Sequence, residues 1–420
     1  MNKWVNHHYD VYEGNLIFFA WGFLLFSEIF GGVIRYYLSQ IGFVEFAYLP
    51  KILVFAIGIW FFFKDGINSV GQIFVVLFAA FELLWASMNG LSVKQYLFAM
   101  WIVQPIFFGF YFYPLALDRW KKVSHYLVIA FFVGVFGVFY TALFSYPWVD
   151  SGYSLGGQEI EAVRSWSTFE FDRPPGFTRM SVQAATYLLL TFLLIFPSLF
   201  ERSLNFALFS WVLGIIAIGV TTTKVVVVAM ILAGVVFFIR KSVITVVGIS
   251  LICLLSMLLP FTSDMVRYDI DYSSYWGRIL LASLDMRLSL TWPITLDLLS
   301  QYGDFVFGRG FGGLGSAERM FGAVATGESY NYFVIDLSVS DSYPLYLYGN
   351  FGFIGVFIFV FQCITSMLLL RRDDLVQVSV GLCLLGIIII GATTDVIEGP
   401  LVSLVMGMSL FGLFERKPAR

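Results

Sequence analysis

Charge is what this 420-residue sequence lacks most. Only 13% of its residues are Asp, Glu, Lys or Arg, against about 25% in a soluble domain. Most of its surface must therefore face something other than water. Histidine is nearly missing: His7, His8 and His125 are the only three. Cysteine is equally sparse, and Cys253, Cys363 and Cys383 all fall inside apolar stretches, which argues against a disulfide framework or a Cys–His metal cluster. A net charge of −3 gives no basic footprint for nucleic acid. The segment from Met1 to Gly14 is polar and lacks the basic, apolar, small-residue order of a cleavable signal, so the first apolar segment is expected to insert the chain by itself. No repeat divides the chain into similar halves, and inverted-repeat transporter architecture finds no support.

What is present is hydrophobic. Apolar residues make up 59% of the chain, and the mean hydropathy is +0.84. Runs of about 18 or more apolar residues mark membrane spans. They fall near 15–36, 46–63, 70–88, 96–117, 125–146, 181–200, 204–222, 224–240, 242–260, 344–370, 375–392 and 398–414. The expected fold is an all-α polytopic membrane protein of about twelve transmembrane helices. Two large external loops, containing short amphipathic helices, separate the membrane parts. The division is 1–146 (five helices), 147–180 (first loop), 181–260 (four helices), 261–343 (second loop) and 344–420 (three helices). Residues 204–240 are nearly continuous, broken only at Thr221, Thr222, Thr223 and Lys224, which predicts two spans and a tight turn.

Basic residues of short connections set orientation. Arg119, Lys121 and Lys122, then Arg202, then Arg240 and Lys241, then Arg371 and Arg372, and finally Arg416, Lys417 and Arg420 all fall on one side under this span count. Both termini are then cytoplasmic, and the two long loops lie outside.

Neither loop contains lysine, yet the first carries Arg164, Arg173 and Arg179 and the second Arg267, Arg278, Arg287, Arg309 and Arg319. External arginine runs against the positive-inside bias. One reason is pairing with loop acids such as Asp172, Asp269, Asp271, Asp285 and Asp304. The other is anion binding, because a planar guanidinium matches phosphate oxygens and an ammonium does not. Ser274 to Leu299 predicts a helix bearing Arg287, interrupted at Pro293 and lying at the interface. Gly308 to Gly315 is a glycine-rich turn, either a flexible connector or a place where backbone approaches a glycan or phosphate. Asp341 stands at the mouth of the tenth span, as a helix cap or as a carboxylate facing the arginines. Glu28 and Glu82 are ionisable groups inside apolar runs, which are functional candidates by default. Trp148, Trp166, Tyr272, Tyr275 and Trp276 are loop aromatics suited to sugar faces or to an interfacial belt.

From Asp172 onward the chain resembles the superfamily of O-antigen polymerases, O-antigen ligases and related bacterial exopolysaccharide polymerases. Four pieces carry the resemblance, in order. They are the Arg-Pro-x-Gly-Phe string at Arg173 to Phe177, the threonine-rich turn with a basic residue at Thr221 to Lys224, and Arg287 followed by the glycine string Gly308 to Gly313. The fourth is the polar pair Asp341 and Ser342 before Gly352 and Gly355. Many members have Ser-Arg where this chain has Thr223 and Lys224, and His-Asn where it has Asp341 and Ser342.

The resemblance implies glycosyl transfer without metal or cofactor on the outer face of the bacterial cytoplasmic membrane. The donor would be an oligosaccharide on undecaprenyl pyrophosphate, and a flippase and a chain-length regulator are the implied partners. Arg173, Arg179, Lys224, Arg278 and Arg287 would bind pyrophosphate. Arg173 and Arg287 would stabilise its departure, and Asp341 would take the proton of the attacking hydroxyl. Trp166, Tyr275 and Trp276 would meet the glycan. Because ligases use the histidine of the His-Asn pair, its absence favours a polymerase over a ligase. A flippase for the same lipid is the rival of another class.

Overall fold

The computed structural model of the chain describes residues 9–414 except 65–69, 150, 156–157, 165–166, 169–170, 264–274, 323–328, 331–332, 335–336 and 339. It is an all-α polytopic membrane protein, about 79% helical. Among the described residues, seven helical segments are long and apolar enough to cross a membrane, or eight if one sharply bent pair is a single span.

That pair opens the chain. Asp10 and Glu13 form a reciprocal capping box that starts α1 (Val11–Ile29), and α2 (Gly31–Gln40) leaves at 83° to it. The bend is imposed from outside. The Gly32 N–H donates to the Phe177 carbonyl at 2.9 Å, and a Cβ at Gly32 would sit 2.4 Å from the Thr178 carbonyl oxygen. Only glycine lets the first loop approach so closely. The span expected over 15–36 is therefore sharply bent at Phe30.

The helices that follow are α3 (Leu49–Phe63), α4 (Val70–Met88), α5 (Val93–Val103), α6 (Pro105–Asp118) and α7 (Trp120–Leu143). After the first loop come α8 (Ser181–Arg202), α9 (Leu204–Val220), α10 (Lys224–Ile239) and α11 (Val243–Phe261). The second loop holds α12 (Tyr275–Met286), α13 (Trp292–Tyr302) and the short α14 (Ser316–Phe321). The chain closes with α15 (Tyr343–Leu370), α16 (Leu375–Gly391) and α17 (Pro400–Phe414). The strands described form two-stranded ribbons only, all of them in the two loops.

Burial sorts the helices into a centre and a shell. In α16 every residue from Val376 to Gly391 is buried, and α8 packs directly against it. Both are apolar on all sides, which a helix tolerates only in a core or a membrane. On the outside, α4 exposes Phe74, Leu77 and Leu84, and α11 exposes Val243, Val247 and Leu254. Such an apolar belt is stable only against lipid.

Two opposite faces emerge. On one, Lys64 pairs with Glu13 at 2.5 Å, Arg119 donates to Asn15 at 2.8 Å and Lys241 pairs with Asp373 at 2.5 Å. On the other, the α1–α2 bend meets the first loop. Connections that the charge pattern assigned to one side thus touch one another.

The helix over Arg287 breaks earlier than expected. Residues Arg287–Thr291 form a widened turn in which the Trp292 N–H reaches back five residues to the Arg287 carbonyl. Pro293 stands in the first turn of α13 rather than interrupting it. A proline there cannot donate to the preceding turn and its ring crowds that turn's carbonyl, so the deformation falls before it. Widened turns of this kind often sit at functional sites.

Candidate functional site

Four residues from four separate segments converge on the loop-bearing face. Arg173 follows the short ribbon strand Phe171–Asp172 and precedes the buried Pro174 and Pro175. The Gly176 N–H donates to Thr141 Oγ1 of α7 at 3.0 Å, which fixes this string on the bundle. Lys224 opens α10 after a turn in which Thr222 adopts φ +59° and the Thr221 and Thr223 hydroxyls bond at 3.0 Å. Arg287 projects from the widened turn because Leu288, Thr291 and Trp292 are buried behind it. Arg173, Lys224 and Arg287 are close enough to act on one another's charge. Burial, and then Arg287, pushes the Arg173 guanidinium below its ordinary range.

The fourth residue is Asp341. Its Oδ2 lies 3.4 Å from Arg287 Nε. The cap of α15 is not Asp341 but Ser342, whose hydroxyl accepts from the Leu345 N–H. Asp341 itself has φ +46°, a left-handed conformation that Asp and Asn tolerate best among residues with a side chain. The capping role expected for Asp341 is therefore excluded.

Behind Asp341 stand two acids of the α16–α17 connection. Burial pushes the Asp395 carboxyl well up, and the nearby charges of Glu398 and Asp341 add to it. Burial raises Glu398 as well, opposed by its bonds to Ser316. Its Oε1 accepts from the Ser316 N–H at 2.9 Å and its Oε2 from the Ser316 hydroxyl, tying the second loop to this connection. The helix after it starts at Pro400, so Glu398 stands before the last apolar helix and not within it.

Arg179 is not part of this constellation. It lies with Arg35 of α2 on either side of Gly31, where a Cβ would be 3.2 Å from Arg35 Nη1 and 3.8 Å from Arg179 Cγ. Lys51 of α3 feels both arginines and, with opposite sign, Glu28 and Glu398. Burial, and then Arg35, lowers Arg179 to about 10, so it is still charged at neutral pH. Arg164 stands beside this group, 3.9 Å from Glu161. Residue type alone grouped Arg179 with Arg173. The turn at Gly176 sends the two in different directions. Sequence reasoning passed over Arg35 and Lys51, although each stands near the loop-side end of an apolar run.

The glycine-rich turn is neither a loose connector nor an open cradle. Gly308, Gly310, Gly312 and Gly315 all have positive φ, and a Cβ at Gly308 would lie 2.6 Å from the Gly352 nitrogen. Asn350 Oδ1 accepts from the Gly312 and Leu314 N–H groups at 2.9 and 3.3 Å. Glu82 Oε2 accepts from the Phe311 N–H at 3.3 Å. The turn is a packed plug against α4 and the kink of α15 at Gly352, where φ is +57°. Glu28 accepts from Gln183 Nε2 at 3.0 Å, so one oxygen of each acid is bonded within the protein, while Glu82 Oε1 is buried with no hydrogen-bond partner among the described residues.

Arg309 belongs to the plug. Its Nη1 pairs with Glu318 Oε2 at 3.0 Å, with the two side chains only 4% and 3% exposed. Breaking a buried pair from one side costs about 3–5 kcal/mol. Arg309→Gln is expected to lower the melting temperature of purified protein sharply, with activity falling only in step with folded protein. Unchanged melting would remove Arg309 from the plug.

Of the aromatic candidates, Trp148 is 7% exposed and packs on Tyr140 and Phe177, so it faces the protein and not a sugar. Trp166 and Tyr272 lie outside the described residues, as do the side chains of Tyr275, Trp276 and Arg278 on α12 and the whole of Arg267, Asp269 and Asp271. No family model, curated protein or solved structure matches the chain.

Proposed function

We propose that the protein is a metal-independent membrane glycosyltransferase of the O-antigen and exopolysaccharide polymerase type. It would join oligosaccharide repeat units carried on undecaprenyl pyrophosphate at the outer face of the bacterial cytoplasmic membrane. The observation that carries this reading is the cation cluster of Arg173, Lys224 and Arg287 with Asp341 in ion contact with Arg287. Preorganised cations stabilise a departing pyrophosphate, and a carboxylate beside them accepts the proton of the attacking sugar hydroxyl. No histidine is needed in that scheme. Transfer to a lipid core or protein acceptor, as in a ligase, has no observation of its own in its favour.

In this reading the chain crosses twelve times. The bent α1–α2 pair and the four shorter apolar helices, α9, α10, α16 and α17, join the seven long segments. At 16 residues, α10 is about 24 Å long, short of a hydrocarbon core of about 30 Å. Local thinning and the Arg240 side chain at its end offset the difference.

Both termini are then cytoplasmic. With the native cysteines replaced, Ser154→Cys in the first loop is expected to react with an impermeant thiol reagent in intact cells. Glu201→Cys, exposed on the opposite face, is expected to react only after permeabilisation. The reverse pattern would invert the topology.

The function is tested by the intermediate that a deletion strain accumulates. A lost polymerase leaves single repeat units displayed on the outer face, whereas a lost flippase leaves them inside. Complementation by the wild-type chain restores polymer, and an Arg173→Gln/Arg287→Gln chain does not. A deletion strain with normal polymer would reject the reading.

A further inference from the structure

We propose that Arg35, Lys51 and Arg179 form a second anion site, distinct from the Arg173, Lys224 and Arg287 cluster, that takes the phosphate ester of a second lipid. Three cations from α2, α3 and the first loop gather there. None of them has a carboxylate within ion-pair distance among the described residues. The Nε atoms of Arg35 and Arg179 are buried and have no hydrogen-bond acceptor among the described residues. Arg35 spends one Nη1 bond on the Gly31 carbonyl at 2.9 Å, and Arg179 spends one on the Glu161 carbonyl at 3.3 Å. Glu28, Glu161 and Glu398 stand nearby, each of them bonded or turned elsewhere. Gathering like charges and burying their donors is costly, and a bound anion relieves both costs.

Placement argues for a lipid ester over a soluble acid. Lys51 lies in the first turn of a membrane-crossing segment, and Arg35 lies on the helix bent away from another. Both are therefore at headgroup depth. The two clusters also flank the same acids. Glu398 faces Lys51, its neighbour Asp395 faces Asp341, and Asp341 pairs with Arg287. Joining one lipid-linked chain to another requires both headgroups to be held at once, with the base between them. Naming the ester as the second substrate's pyrophosphate rests on the polymerase reading, whereas the anion site itself does not.

Each cluster contains one lysine, so each has its own reporter. Wild-type protein in lipid nanodiscs is treated with an amine-methylating reagent, with and without farnesyl pyrophosphate, and labelling of Lys51 and Lys224 is followed by mass spectrometry. Ligand at ten times its Kd occupies about ten-elevenths of a site, so labelling is expected to slow about tenfold at both lysines. Arg35→Gln/Arg179→Gln should abolish protection at Lys51 and keep it at Lys224, and Arg173→Gln/Arg287→Gln should do the opposite. Protection of Lys224 alone in the wild type overturns the second site and leaves the polymerase reading standing. Protection of neither overturns both. Equal protection of Lys51 by inorganic pyrophosphate overturns the lipid assignment in favour of free phosphate. Because the wild-type arm decides the matter, a variant that fails to fold does not.

Discussion

Arg287→Lys is expected to make polymer roughly 10–100-fold more slowly than wild type, although it keeps the charge. The guanidinium at this position is already divided among several tasks. Nε faces Asp341 at 3.4 Å, Nη1 donates to the Ser283 carbonyl at 2.8 Å and to its hydroxyl, and Nη2 meets no acceptor among the described residues. One fixed fork thus binds its own helix, holds the candidate base and presents further donors to a phosphate. A lysine has a single rotating ammonium and cannot do all three. A charge-assisted hydrogen bond contributes about 1.5–3 kcal/mol, and each 1.4 kcal/mol is about tenfold in rate, which gives the range above. The measurement is polymer formed per unit of folded protein in membranes, at saturating lipid-linked substrate. A lysine variant with wild-type rate would reduce Arg287 to a bulk charge. Arg173→Lys is a milder case, since Arg173 has no ion-pair partner among the described residues to lose.

Much of this site was legible because its signals were chemical and local. Loop arginines without lysine, a basic residue after a threonine turn and an acid at a span mouth each stand out as residue types that a purely apolar packing does not call for. What the sequence does not carry is direction. Arg173 and Arg179 are six residues apart in one loop, yet Gly176 and the Phe177 contact with Gly32 send them to different clusters. Arg35 and Lys51 were hidden because hydropathy absorbs a single cation at the end of an apolar run. The glycine-rich turn misled for the opposite reason: positive φ values are needed equally by a ligand cradle and by a packed plug. Only the contacts with Asn350, Gly352 and Glu82 separate the two. The span pattern survived well where apolar runs were bounded by charge, as at Lys64, Arg119 and Arg371. It did not show where the backbone bends inside a run, at Phe30 and Gly352, because no composition signal marks those bends.

The sharpest expected result concerns Asp341. Asp341→Asn should fold, insert and bind lipid-linked substrate like wild type, yet turn over about 10²–10⁴-fold more slowly. Folding should survive because Ser342, not Asp341, caps α15, and because asparagine accepts the left-handed conformation at φ +46°. Arg287 keeps its bond to the Ser283 carbonyl and an amide oxygen in place of the carboxylate. What disappears is basicity at the one acid, among the described residues, in ion contact with the cation cluster. Asp395 is a poor substitute at neutral pH, since burial and its acidic neighbours hold it toward the protonated form. It is better suited to sit beside the base than to replace it. Substrate binding and turnover are measured separately on purified protein, beside Asp341→Glu, which restores a carboxylate on a longer arm. Normal binding with lost turnover, partly restored by the glutamate, identifies the proton acceptor. Loss of binding in the asparagine variant would make Asp341 a strut for Arg287, with no chemistry of its own. Near-normal turnover would move the base to Asp395, or to Glu328 or Asp336, which lie outside the described residues. Asp395→Asn in the same assay then decides whether the acid pair behind Asp341 carries the proton.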